Sequence, residues 1–475
     1  MLDLINSVAY LSPISNLFSA ASPVLAETSE AEIGPLVLAG VLVSLIAIYF
    51  AAKVGGELCA RINLPPVLGE LVGGVVVGVS ALNLIVFPES TEGAGSLITD
   101  FLQMTAGLQP ELASSVFAAQ SEVISVLAEL GVIILLFEIG LESDLKELIR
   151  VGPQAAVVAI VGVVVPFAAG TAGLIAFFGI STIPAIFAGA ALTATSIGIT
   201  AKVLAELQQL SSKEGQIIIG AAVLDDVLGI IVLAVVASLA KTGEIEILNV
   251  VYLIVGAAVF LVGAILVGRL LSPFFVGLVD QLKTRGQLII SSLIFAFVLA
   301  YIASAIQLEA ILGAFAAGLI LAETTKRREL EEKITPIADM LVPIFFVTVG
   351  ARTDLSVLNP AVPSNREGLI IASFLIVVAI VGKVITGFVV FGQPGINRLA
   401  IGIGMVPRGE VGLVFAGVGS ASGALSESLE AAIIVMVILT TFLAPPLLRI
   451  VFKDEDEADA VSEAVTGSEL EEAES

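Results

Sequence analysis

Read for polarity alone, the chain alternates long apolar runs with short breaks rich in charge, Gly or Pro. The runs fall at 34–51, 64–87, 122–141, 153–179, 183–205, 214–239, 248–271, 287–306, 308–323, 335–351, 368–391, 397–421 and 429–451. A helix of roughly 20 apolar residues crosses the hydrocarbon of a bilayer. The pattern therefore predicts an all-α polytopic membrane protein with about thirteen transmembrane helices. The stretch 88–120, long, acidic and Gly-containing, is expected to form a surface helix between the second and third spans.

Composition supports this reading. Of 475 residues, 57% are hydrophobic and 14% charged, and the mean hydropathy is +1.08. Soluble domains carry about 25% charged residues, so a soluble globule is excluded. The net charge of −23 is partly an end effect, because 454–475 (DEDEADAVSEAVTGSELEEAES) holds ten acidic residues and no basic one. Such a block predicts a solvated acidic tail without fixed structure. Nothing in the chain suggests nucleic-acid binding or calls for a cofactor.

Cys59 is the single cysteine, so no intramolecular disulfide can form, and there is no histidine. Any response to pH falls to carboxylates and amines. Near the N-terminus, LFSAASPVLAETSE contains an Ala-ending site like that of a signal peptidase, but no Lys or Arg precedes it. A cleaved leader and a translocated amphipathic segment both fit.

Lys and Arg placement orients the spans, because basic residues collect on the cytoplasmic side. With the N-terminus outside and the C-terminus cytoplasmic, sixteen basic residues lie inside and three (Lys241, Arg352, Arg366) outside. The remaining two, Lys383 and Arg408, lie within spans.

The chain also repeats itself. LAELGVIILLFEIGLESDL (127–145) aligns without gaps on IADMLVPIFFVTVGARTDL (337–355), matching Gly140 to Gly350 and Asp144 to Asp354. The preceding spans share LGELVGG from Leu68 and LGAFAAG from Leu312. Spans 2 and 3 thus fall on spans 9 and 10. An odd offset of seven spans inverts the second copy, and inverted repeats are a mark of secondary transporters with a mid-membrane site.

The repeat pairs span 5 with span 12, and both are irregular. Span 5 has Thr193, Thr195, Ser196 and Gly198 at its centre, and span 12 has Pro407, Arg408, Gly409 and Glu410. Pro removes a backbone donor and Gly weakens a helix. Exposed carbonyl and N–H groups are tolerated at depth where they line a cavity. Two such broken helices crossing at the midplane would make a cation site. The alternative for span 5 is that its hydroxyls bond back to their own helix.

Span 6 carries adjacent carboxylates, Asp225 and Asp226, in GAAVLDDVLGIIVLAVV. A carboxylate at a bilayer centre costs roughly 2.5–3.5 kcal/mol. Helix neighbours point about 100° apart, so one should face the cavity and the other a partner. The available cation is Lys383 in VAIVGKVITGF of span 11. A carboxyl group withdrawn from water binds either a proton or, ionised, a hard cation, and a site that holds one or the other is an exchanger. A buried lysine adds a second proton site. A purely structural Asp–Lys pair is the alternative. Glu138 and Glu142 sit toward the inner end of span 3, as a cytoplasmic funnel or helix-end contacts. Glu57, Glu70 and Glu309 lie near span ends and carry no clear signal.

LTATSIG, GAAVLDDVLGIIVLA, VGKVITG and MVPRGEVGLVFAGVG together resemble the monovalent cation/proton antiporter superfamily, in particular its second, paired-aspartate family. The likeness covers nearly all of 34–451. It implies a homodimer with elevator-type motion of a core against a dimerisation domain. On that plan 1–33 is an extracytoplasmic N-terminal segment, 34–141 and 287–351 form the dimerisation domain, and 248–271 is a linker helix. The core is 153–239 with 368–451, and 454–475 is the acidic cytoplasmic tail.

Carried over by motif, Asp226 is similar to the ion- and proton-carrying carboxylate, and Asp225 to the partner of a lysine, here Lys383. Thr193 and Thr195 match the unwound crossing, and Arg408 and Glu410 the facing break. The resemblance implies Na+ or K+ bound at Asp226, Thr193 and Thr195, no cofactor, and electrogenic exchange with two protons per sodium, through Asp225 and Lys383. It also implies a plasma (inner) membrane or an internal energy-coupling membrane. Some relatives carry an acidic side chain where this chain has Ala194, and a Ser where it has Ala222, which leaves the ligand set open. The gated potassium-efflux branch often carries a nucleotide-binding tail, which the residues after Lys453 do not resemble.

Three other readings fit less well. An intramembrane aspartyl protease needs two carboxylates converging on one site and shows Gly-x-Gly-Asp, absent here. A channel needs no proton coupling. A sodium-coupled solute symporter needs a pocket for an organic substrate, yet there is no Trp and there are four Tyr.

Overall fold

In the computed structural model, residues 23–88, 96–242, 247–361, 363–393 and 395–474 are described, and among them there is no strand. Side chains of residues 23–32, 240–242, 269, 271, 363–364, 410, 421 and 453–474 are outside the description, as is the stretch before residue 23, which holds most of the leader reading. Nine of the described helices are long and apolar enough to cross a membrane. They are α1 (Pro23–Arg61), α4 (Pro110–Glu142), α5 (Leu145–Phe178), α8 (Lys213–Thr242), α9 (Ile247–Gln281), α10 (Gln287–Ala305), α12 (Arg327–Ala351), α13 (Pro363–Phe388) and α16 (Glu427–Glu474). The short helices are α2 (Pro66–Val77), α3 (Leu97–Thr105), α6 (Thr182–Ala191), α7 (Ile197–Glu206), α11 (Ala310–Ala322), α14 (Arg398–Gly404) and α15 (Glu410–Ala421).

Several helices outrun the apolar pattern. α1 begins at Pro23 rather than 34, α5 at Leu145 rather than 153, and α12 at Arg327 rather than 335. Apolarity marks only the part inside hydrocarbon, and charged flanks continue the same backbone ladder beyond it. The 88–120 excursion is likewise not one surface helix. α3 takes part of it, and α4 has already begun at Pro110, with Pro at the first helical position. The acidic tail is not irregular either: α16 continues to Glu474 through an Ala/Glu-rich stretch of good helix formers.

α2 has 12 residues and α11 has 13. At 1.5 Å per residue each is about 20 Å long, short of the hydrocarbon thickness. Both are packed by glycine. A Cβ on Gly74 of α2 would lie 2.9 Å from Gly350 Cα of α12, and one on Gly318 of α11 would lie 2.8 Å from Gly140 Cα of α4. These are one contact made twice, because the sequence repeat pairs Gly74 with Gly318 and Gly140 with Gly350.

The turns agree with the repeat. Leu64 N–H donates to Cys59 O at 2.8 Å and Leu308 N–H to Ala303 O at 3.0 Å, around Asn63 (φ 58°) and Gln307 (φ 66°). Such closing bonds around a left-handed residue end a helix. Asp144 and Asp354 cap the next elements, accepting from Lys146 N and Ser356 N at 2.8 Å each.

Packing divides the helices into two groups. α1, α2, α4, α10, α11 and α12 pack on one another, and α5, α6, α8, α13, α14, α15 and α16 form the second group. α9 touches α8, α10 and α11. α7 belongs to the second group through α8 but also meets α2 and α4.

Candidate functional site

The two interruptions share one backbone design. Residues 192–196 separate α6 from α7, and 405–409 separate α14 from α15. Before each break the last turn tightens. Leu192 N and Thr193 N donate to Gly189 O and Ala190 O at 3.1 and 3.0 Å, and Met405 N and Val406 N to Gly402 O and Ile403 O at 3.2 and 3.0 Å. The two breaks then cross. Ser196 N donates to Pro407 O at 2.9 Å, and Thr200 Oγ1 to Gly404 O at 2.9 Å.

Four helix ends meet at the crossing, and an unpartnered carbonyl end is negative while an N–H end is positive. Arg408, fully buried, answers the negative ends. Its Nη2 donates to Leu192 O, at the end of α6, at 2.7 Å, and its Nη1 to Met405 O and Val406 O, at the end of α14, at 3.2 Å each. Thr441 Oγ1 of α16 donates in turn to Arg408 O.

The carboxylates lie on α8 and point apart, as neighbours on a helix must. Asp225 is fully buried, and its Oδ2 lies 3.0 Å from Lys383 Nζ of α13. The same ammonium donates to Thr195 Oγ1 at 2.9 Å, and Thr195 donates onward to Met405 O at 3.2 Å. Gly162 of α5 leaves room for it, since a Cβ there would stand 3.2 Å from Nζ. A buried ion pair offsets part of the desolvation of both charges.

Asp226, 5% exposed, instead lines a pocket of about 10 Å³ with Ala194, Thr195, Ser196, Glu309 and Gly409. That is about the space of one water-sized sphere. It shares Glu309, Ile311 and Gly409 with a cavity of about 670 Å³ that also holds Glu129, Phe345 and Arg352. On the opposite face, Glu206 at the end of α7 accepts from Val67 N at the start of α2 at 3.4 Å. Lys202 of α7 faces Glu70, Glu138, Glu142 and Glu206.

Asp225, Asp226, Thr195, Lys383 and Arg408 therefore meet at the crossing. Thr193 does not line the Asp226 pocket, because its hydroxyl donates back to Ala190 O at 2.7 Å. Glu410 opens α15, and its side chain lies outside the described residues. Sequence reasoning passed over Glu309, which lines both cavities, and Gly162, which had no signal in a single sequence. Glu57 pairs with Arg61, at 3.0 Å on the surface.

With this geometry established, the sodium/hydrogen exchanger transmembrane family model matches residues 41–454. The chain belongs to the sodium/hydrogen exchanger family. This exchanger is 70% identical to the high-affinity Na+/H+ antiporter NhaS3 of Synechocystis over 92% of its own length and 95% of the relative's. It is 33% identical to the Na+/H+-K+ antiporter GerN of Bacillus cereus, over 86% and 96%. Its fold is similar to that of the sodium proton antiporter MjNhaP1 of Methanocaldococcus jannaschii at pH 8, with a TM-score of 0.55 and 17% identity over 86% of this chain and 95% of the other.

Proposed function

We propose that this exchanger swaps Na+ for H+, with Asp226 holding a proton and the cation in alternation. One observation carries the reading. Asp226 lines the pocket where the two breaks meet, while its neighbour Asp225 is committed to Lys383. The name of the Synechocystis relative points to the same pair of ions. Exchange through K+ is the second reading, favoured by the name of GerN, and carboxylate and hydroxyl oxygens serve either ion.

In this reading Lys383 carries a second proton while paired with Asp225 and gives it up when the pair parts, which makes exchange electrogenic. The α5–α8 and α13–α16 group moves as an elevator against the group of α1, α2, α4 and α10–α12. The latter group joins two copies into a homodimer. With the N-terminus outside, as the basic residues favour, the 670 Å³ cavity opens outward and the Glu206–Val67 contact closes the inner side. The site serves a plasma membrane or an internal energy-coupling membrane.

The test is proton flux in proteoliposomes on addition of Na+ or K+. The wild type is expected to move protons with one or both ions, and Asp226→Asn to lose this coupling. Cation flux without proton movement, or an Asp226→Asn protein exchanging at the normal rate, sinks the proposal.

A further inference from the structure

One acidic side chain lines both cavities. Glu309 borders the pocket of Asp226, about 10 Å³, and the neighbouring cavity of about 670 Å³. Glu129 lines only the larger of the two and Asp226 only the smaller. A cation moving between the cavity and Asp226 therefore passes Glu309. Its carboxylate is not taken up as a helix cap. Glu309 holds the N-cap position of α11, yet its side chain makes no cap bond there. Ser, Thr, Asp and Asn are the residues that favour that position.

Its place in the fold sets when it can act. Glu309 immediately precedes α11, which packs on α4 and α10, whereas Asp226 lies on α8 in the other group of helices. The two repeats also differ at this register. LGELVGG from Leu68 and LGAFAAG from Leu312 set Glu309 against Pro65. Pro65 stands just before α2, where Val67 N donates to Glu206 Oε2 of α7 at 3.4 Å and the two groups touch. The start of α2 thus carries a pyrrolidine ring where the start of α11 carries a carboxylate. A negative charge beside a cation path raises the local cation concentration, and a hard cation trades its water for further oxygens.

We propose that Glu309 sets the affinity for the cation on the face where the large cavity opens. Its carboxylate passes the ion between that cavity and the Asp226 pocket. It acts on that face alone, because Pro65 leaves the inverted copy without an equivalent. This rests on the antiporter reading and deepens it. With the N-terminus outside, the face concerned is the outer one.

The experiment uses the full-length protein in right-side-out and everted membrane vesicles, where added NaCl, LiCl or KCl meets the outer and the cytoplasmic face respectively. The readout is the cation concentration giving half-maximal proton flux. In Glu309→Gln it is expected to rise on the order of fivefold at the outer face, the scale of one unit charge a few ångströms away in high dielectric. At the cytoplasmic face it should stay in place. Glu309→Asp keeps the charge on a shorter side chain and should fall between wild type and Glu309→Gln. Glu129→Gln removes a charge from the cavity but not from the Asp226 pocket, so its smaller rise should disappear when choline chloride screens the cavity. The rise in Glu309→Gln should persist under the same salt. A charge that only favours the positive end of α11 would instead lower the melting temperature without any sided change. Unchanged half-saturation, equal rises on both faces, a rise at the cytoplasmic face alone, or an outer rise matched by Glu129→Gln overturns the proposal. A wild type that moves no protons with any of the three salts overturns the antiporter reading instead. If Glu309→Gln does not reach the membrane, Glu309→Asp decides: a rise confined to the outer face supports the proposal, and its absence overturns it.

Discussion

The two breaks in this exchanger have nearly the same backbone and opposite chemistry. Each follows a helix end tightened by two short-range bonds, and each leads into a second half-helix. The first break carries hydroxyls at Thr193, Thr195 and Ser196, while the second carries Pro407, Arg408 and Gly409. Repeat symmetry fixes where helix ends meet, and the side chains break that symmetry. Two hydroxyl breaks would leave the negative ends of α6 and α14 without a buried cation. Two arginine breaks would set a second fixed positive charge where a cation must bind. A single guanidinium reaching carbonyls on both sides serves both ends and leaves the other break to supply oxygens.

The harshest way to break this comparison is Arg408→Ala. Leu192 O and Val406 O lose the guanidinium donor, at about 1–3 kcal/mol each, while Met405 O keeps Thr195. The expected outcome is loss of folded, monodisperse protein in detergent, measured by size exclusion and thermal unfolding. Arg408→Lys keeps the charge without the planar fork and should recover only part.

Lys383→Ala comes next. It strands a fully buried Asp225, and removing one partner of a buried pair costs about 3–5 kcal/mol. Exchange should become slow or electroneutral while membrane insertion persists, read as charge displacement on a supported membrane. Adding Asp225→Asn should recover stability, since the stranded charge is then gone. Unchanged electrogenic stoichiometry in Lys383→Ala would count against the pairing.

Thr193→Ala sharpens the comparison from the mild end. Its hydroxyl serves its own helix, so its removal should change stability by under about 1 kcal/mol and leave half-saturating Na+ unchanged. A large rise there would return Thr193 to the cation site.

Much of this was legible in the chain. The runs gave the helical class, and Gly140, Gly350 and their partners gave the inverted repeat. Two carboxylates with one intramembrane lysine indicated a pair with one carboxylate left over. Helix ends were less legible, as α1 and α5 show, because charge marks the edge of hydrocarbon and not the edge of a helix. The directions of the hydroxyls at the first break were not legible. Thr193, Thr195 and Ser196 are alike in polarity, and an unwound segment has no periodicity from which to read direction.

The sequence by itself determined the apolar helices, the repeat, and the presence of Asp225, Asp226, Lys383 and Arg408 at membrane depth, because transfer energies and covalent order act residue by residue. The tertiary structure alone decided that Arg408 spans two helix ends, that Ser196 and not Thr193 lines the Asp226 pocket, and that Glu309 lines both cavities. These facts depend on segments distant in the chain arriving side by side, Arg408 and Leu192 within hydrogen-bond distance across 216 positions, and only packing sets that arrival.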